Sequence, residues 1–352
     1  MIGSKQLDSA SAKIGGMKSY MLSLDDFKSM MGQPDVRGIF DYLNDHTEYK
    51  RVLWDMKGQK VHRGDIERAL YKHNVLSLEK LLHYLNEPYK DFMKSYMKKY
   101  ETEDLKLVIE YIAGRSSLTN IESHILSRDS FSKLDFNELL SQDSLVKLMD
   151  KLSDTPYYDI LIPYVNHIDL KFSFYVEMVL DRYYFRQLAA AGKKLPDSKN
   201  NPVMELIGRN IDLFNLEWIY RAMKFYDMSK EEILNFVLDG GHKYNFFKIK
   251  DMVYNLTPSK FRDYFKDSEY GFLFSHGDDT DLYMERRIER YLYYKSLSLY
   301  REHVLEFGRI MGFVLLLEFE VKDIISLVEC IRYKLSPAET SKYLIRTIEV
   351  VE

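Results

Sequence analysis

Hydrophobic positions along this chain recur in a helical rhythm, and the rhythm is written three times. Leu105, Val108, Ile109 and Ile112 fall at i, i+3, i+4 and i+7, the spacing of one helix face. Leu216, Ile219, Tyr220 and Met223 repeat it, as do Ile324, Leu327, Val328 and Ile331. Ahead of each stripe stands an acid (Glu101, Asp212, Glu320), and three residues after that acid an Asp or Asn (Asp104, Asn215, Asp323). An earlier motif joins Leu43, Tyr49 and Val52, then Leu152, Tyr158 and Leu161, then Tyr264, Tyr270 and Leu273. Its copies step by 109 and then 112 residues, and 53 to 57 residues separate each tyrosine from the Asp or Asn that follows. Two motifs holding register over three copies mark one structural unit repeated along the chain, in segments 1–125, 126–240 and 241–352. Such a repeat speaks of architecture and points away from a single catalytic pocket.

The segments share further predicted elements. A short helix opens them, with Phe27, Met30 and Met31 on its apolar side in the first and Phe136, Leu139 and Leu140 in the second. A turn follows at Pro34-Asp35, Gln142-Asp143 and Thr257-Pro258, the last reading as an N-cap before a first-turn proline. Longer helical stretches are predicted over 76–112, 172–191 with 203–226, and 281–335, with Pro88 interrupting the first. After each stripe a Ser or Thr with Glu three residues on announces another helix: Thr119 with Glu122, Ser229 with Glu232, Ser336 with Glu339. The most irregular stretch is 192–202, and Gly240-Gly241 separates the second segment from the third. No alternating run bounded by hairpin turns occurs. The expected fold is all-α, three similar helical subdomains.

Composition agrees. Of 352 residues 46% are apolar and 30% charged, the balance of a globular protein, and 8 Pro with 16 Gly leave few helix breakers. The 28 Tyr and 20 Phe are unusual, and tyrosine lets a helix bury a ring while its hydroxyl finds a polar partner. A net charge of −4 gives no general reason to bind nucleic acid or anionic lipid. The basic clusters Lys94, Lys98, Lys99 and Arg286, Arg287, Arg290 are interleaved with acids and read as solvated helix faces. Cys330 is the only cysteine, which rules out an intrachain disulfide and suits a reducing compartment. Residues 1–20 lack the apolar core of a signal peptide. The longest apolar run, Ile310 to Leu317, falls well short of the roughly 20 residues a membrane helix needs.

Candidate chemistry is sparse. Asp278, Asp281 and Glu285, with Asp279 beside them, have the i, i+3, i+7 spacing of a helical metal site. No second acidic set faces them, and acids in a first helical turn also stabilise its dipole. The nine histidines show no ligand spacing, and no nucleophile elbow or glycine-rich phosphate loop is present. No catalytic residue, cofactor or metal is expected. The repeated acids Glu101, Asp212 and Glu320 stand out because each lies on its stripe's own face, four residues before the first apolar position. Such an acid is either buried against a basic partner or turned toward a wet cavity.

With the repeats laid out, the chain resembles the C-type subunits of archaeal and bacterial A/V-type ATPases and their d-type counterpart in the eukaryotic vacuolar proton pump. The likeness is carried by Y-F-K-D-S-E-Y-G-F-L-F (Tyr264 to Phe274), the E-x-E-V-K-D-I-I-S-L-V-E-C-I ending (Glu318 to Ile331), A-K-I-G-G-M-K-S-Y-M-L-S (Ala12 to Ser23) and D-T-P-Y-Y (Asp154 to Tyr158). Lys322-Asp323-Ile324 stands where that family has R-N-I, which keeps helix geometry and alters charge. The resemblance implies a funnel of three helical domains about a pseudo-threefold axis, one side receiving the central stalk (D- and F-type subunits) and the other seated on the membrane proteolipid ring. It implies a non-catalytic part that transmits rotation, peripheral on the cytoplasmic face and attached through the ring, whose cavity the three acids would line if they are not structural. Two other readings stay open: a helical scaffold of unrelated purpose, and a metal-dependent helical enzyme using Asp278 and Asp281.

Overall fold

The computed structural model describes residues 2–116, 121–165, 172–196, 200–226, 228–274, 283–304 and 306–348. Among them lie seventeen α-helices, three short 3-10 turns and no strand, so the fold is all-α as the periodicity requires. The first segment holds α1 (Ile2–Lys18), α2 (Leu24–Met31), α3 (Val36–His46), α4 (Lys50–Leu53), α5 (Arg63–Leu82) and α6 (Tyr89–Ile112). The second holds α7 (Phe136–Leu140), α8 (Leu145–Leu152), α9 (Pro156–Val165), α10 (Phe172–Gly192), α11 (Pro202–Phe225) and α12 (Lys230–Asn235). The third holds α13 (Phe246–Asn255), α14 (Pro258–Phe265), α15 (Met284–Glu302), α16 (Phe307–Arg332) and α17 (Pro337–Tyr343).

Local chemistry sets most helix starts. Ser229 and Ser336 cap α12 and α17 with reciprocal bonds to Glu232 and Glu339, as expected; the expected box at Thr119 lies outside the described residues. Pro258 begins α14, but the Thr257 hydroxyl faces Ser259 and caps nothing. The predicted stretch 76–112 divides at 83–88, ahead of a proline that cannot continue a helix. The described part of 281–335 also divides, into α15 and α16, which fold back on each other. A Cβ on Gly312 would lie 2.6 Å from the Tyr300 amide nitrogen and 2.9 Å from the Ser296 carbonyl, so the hairpin needs glycine there. Gly240, at the expected boundary, has φ +99°, a backbone that L side chains rarely adopt.

Contacts gather into two compact units. One comprises Met1–Asn86, Glu205–Leu213 and Thr257–Glu352; the other comprises Glu87–Met204 and Phe214–Leu256. In the first, the α16 stripe residues Ile324, Leu327, Val328 and Ile331 share a core with Phe27, Met30, Ile39, Phe40, Leu43, Tyr49 and Leu53 of α2 to α4. In the second, the α6 stripe residues Leu105, Val108 and Ile109 share a core with Phe136, Leu139, Leu148, Leu152, Tyr157 and Leu161 of α7 to α9. Each of these stripes therefore packs on the opening helices of the next segment, the third on the first.

Candidate functional site

The residue three after each acid does the same work in every copy. Asp104 accepts backbone N–H bonds from Leu126 (3.0 Å) and Ser127 (2.6 Å), 22 and 23 residues downstream. Asp323 accepts from Ile345 and Arg346, again 22 and 23 residues on. Asn215 accepts from the Leu238 amide at 2.8 Å and donates to its carbonyl at 2.9 Å, 23 residues on. A carboxylate only accepts, so it gathers two N–H groups, whereas an amide matches one peptide's donor and acceptor. In each copy the strip of chain beyond the stripe is tied back to the stripe's first turn. Burial raises the Asp104 carboxyl to about 6 and raises Asp323 as well.

The acids themselves are buried: Glu101 and Asp212 at 0% exposure and Glu320 at 1%. Each accepts a tyrosine hydroxyl. Tyr157 donates to Glu101 at 2.5 Å, Tyr270 to Asp212 at 3.1 Å and Tyr49 to Glu320 at 3.0 Å. The order is cyclic: the acid of the first segment takes the tyrosine of the second, that of the second takes the third's, and that of the third takes the first's. Burial beside the carboxylate raises all three hydroxyls above the ordinary tyrosine range.

Sequence spacing names Tyr158 in the second copy, and the structure corrects this to Tyr157. Tyr158 is only half-buried at the edge of the core. The turn geometry explains the slip. Thr47 donates its hydroxyl to the Leu43 carbonyl four residues back, whereas Thr155 donates to the Leu152 carbonyl three back. The second copy is one residue shorter there, so the constant element is a hydroxyl residue two before the tyrosine. Thr47, Thr155 and Ser268 accept from the amides of Tyr49, Tyr157 and Tyr270. That Ser/Thr-x-Tyr signal was present in the sequence.

A basic partner is only partly what the acids have. Lys98 reaches both oxygens of Glu101, at 2.8 and 2.9 Å. Arg209 stands at the corresponding place before Asp212 and directs its guanidinium to Glu205, Glu269 and Tyr291. Leu317 occupies that place before Glu320, whose nearest arginine atom, on Arg346, is 3.9 Å away. Arg346 is shared with Asp323, at 2.8 Å, and lies over the Phe27 ring. Glu320 also accepts the Leu22 amide at 2.8 Å. Burial dominates, and lifts the Glu320 carboxyl to about 7. It borders a cavity of about 260 Å³ together with Tyr49, His73 and Phe313. His73, against the Tyr49 ring, is pushed down to about 4 by burial and then by Lys80 and Arg51, so its imidazole is neutral at pH 7.

The arginines of the second basic cluster, expected on a solvated face, are engaged instead. Arg287 donates to the Leu273 carbonyl, and Arg290 to those of Leu344 and Ile345, because a guanidinium fork binds backbone oxygens well. Asp278, Asp279 and Asp281 lie outside the described residues; Glu285 sits in the first turn of α15. Among the described residues no three His, Cys, Asp or Glu side chains are placed to hold a metal.

Residues 10–343 match the ATP synthase (C/AC39) subunit family. The C subunit of the A-type ATP synthase of Methanosarcina mazei is 24% identical over 255 residues, covering 72% of this chain and 69% of that protein. Its counterpart in Methanosarcina barkeri, also a C subunit of an A-type ATP synthase, is 22% identical, with 86% and 82% covered. The corresponding A-type ATP synthase C subunit of Thermococcus kodakarensis is 22% identical, with 95% and 88% covered.

Proposed function

The chain belongs to the ATP synthase (C/AC39) subunit family, and from that premise we propose that it is the non-catalytic rotor adaptor of an A/V-type rotary ATPase. In this reading it joins the D- and F-type subunits of the central stalk to the membrane proteolipid ring and passes torque between ATP turnover and proton or sodium transport. The observation that carries the reading is the cyclic clasp. An acid held by the next segment's tyrosine, with the third closing on the first, is what three subdomains around a pseudo-threefold axis require. We take segments 1–125, 126–240 and 241–352 as those subdomains and a funnel as their arrangement. Burial of all three acids supports a structural role for them over lining the stalk socket. A torque-bearing part must resist deformation, and buried, mutually satisfied polar groups favour one packing over alternatives.

Attachment to the membrane, on its cytoplasmic face, runs through the ring. In keeping with this, no described helix is long and apolar enough to cross a membrane. The test is genetic and biochemical. Membranes lacking this chain should retain the ring yet lose ATP-driven ion pumping, and the purified chain should hydrolyse no ATP. Pumping at the full rate without it would overturn the proposal.

A further inference from the structure

Among the described residues the most exposed large apolar side chain is Phe247, at 80%, beside Phe246 at 44%. They are the first two residues of α13, whose Ile249, Met252 and Val253 are buried, so the helix satisfies its core and still presents two phenyl rings to solvent. Between residues 240 and 250 the chain carries Lys243, Lys248 and Lys250 and no carboxylate, although its net charge is −4. The Lys248 ammonium donates to the Lys243 carbonyl at 3.0 Å, and Lys250 lies 5.9 Å from the Tyr254 ring. Among the described residues neither Lys248 nor Lys250 forms an ion pair.

We propose that this patch rests on anionic lipid headgroups. Paired phenyl rings flanked by lysines match the headgroup boundary, where rings enter the acyl edge and lysine stems extend to keep their charge in water. Protein interfaces favour aromatic side chains, Phe included, and are depleted in Lys, so the rings alone suit either surface and the lysines favour the lipid one. Each lysine near an anionic surface adds about fivefold to the partition coefficient, so the contact is weak alone and additive to attachment through the ring. The inference goes beyond the adaptor reading, and its failure would leave that reading standing.

The test is cosedimentation of the full chain with phosphatidylcholine–phosphatidylglycerol vesicles against pure phosphatidylcholine vesicles. Binding is expected to the anionic vesicles alone and to fall as salt is raised. Phe247→Ser should lower the partition coefficient about tenfold, and Lys248→Glu with Lys250→Glu at least as much, with helix content and melting unchanged. No binding, equal binding to both vesicle types, or binding indifferent to these substitutions would overturn the proposal. So would variants that bind vesicles normally yet fail to enter the ATPase complex, since that outcome assigns the patch to a protein.

Discussion

Glu101 and Glu320 begin from the same sequence motif and reach the same burial, yet their charges are compensated differently. Glu101 has Tyr157 and, on its own helix, Lys98, whose side chain is 38% exposed. Glu320 has Tyr49 and the Leu22 amide, and its nearest arginine is 7% exposed and already committed to Asp323. The hydroxyl clasp is thus the repeated device, while the cation is a local solution. Where the helix supplies a lysine one turn earlier, the pair is direct and its lysine end is open to solvent. Where it supplies Leu317, two carboxylates share one buried guanidinium, and burial, only partly offset by that arginine, lifts the carboxyl of Glu320 to about 7.

The largest expected contrast comes from removing the cations. Arg346→Met leaves Glu320 and Asp323 buried without their arginine and should cost about 3–5 kcal/mol. Lys98→Met acts where water can reach and should cost about 1–2 kcal/mol. Urea midpoints of the two variants measure the difference; equal losses would erase the distinction between the sites.

A pH series sharpens it. The folded state holds the Glu320 proton more tightly than the unfolded state, whose value is 4.5. Its contribution is therefore fully present below pH 4.5 and is lost as pH rises through about 7. At about 1.4 kcal/mol per pKa unit, the loss is on the order of 3 kcal/mol. Glu320→Gln keeps an acceptor for Tyr49 and carries no charge, so stability should decline less between about pH 5 and about pH 8. Asp104 and Asp323 shift in the same direction, so some slope should persist. An unchanged slope would mean that Glu320 is not the titrating group.

The smallest effect separates neighbours in sequence. Tyr157→Phe removes a hydroxyl from a buried carboxylate and should cost about 1–2 kcal/mol, whereas Tyr158→Phe should stay within about 0.5 kcal/mol. Thermal melting of the two variants reads this directly, and a larger loss at Tyr158 would restore the register that spacing suggests.

Much of the all-α fold was legible because helical periodicity and fixed spacing are properties of sequence. The stripes, the Asp104, Asn215 and Asp323 equivalence and the capping boxes at Ser229 and Ser336 follow from counting residues. Counting fails where geometry absorbs a residue. The turn at Leu152 to Thr155 is one residue shorter than its counterpart, and two adjacent tyrosines hide the slip. The α15–α16 reversal turns on Gly312 meeting the Tyr300 backbone, a close approach that no apolar pattern marks. Arg346 lies beyond the repeated motifs, and only folding brings it beside Glu320 and Asp323.

The pair that closes the cycle, Tyr49 with Glu320, is separated by 271 residues and offers the most direct test. A double-mutant cycle with Tyr49→Phe and Glu320→Leu, read by urea unfolding, measures the coupling between the first segment and the third. A coupling energy of about 1–2 kcal/mol is predicted for this buried, charge-assisted bond. Additivity within about 0.3–0.5 kcal/mol would show that the cycle does not close through these residues.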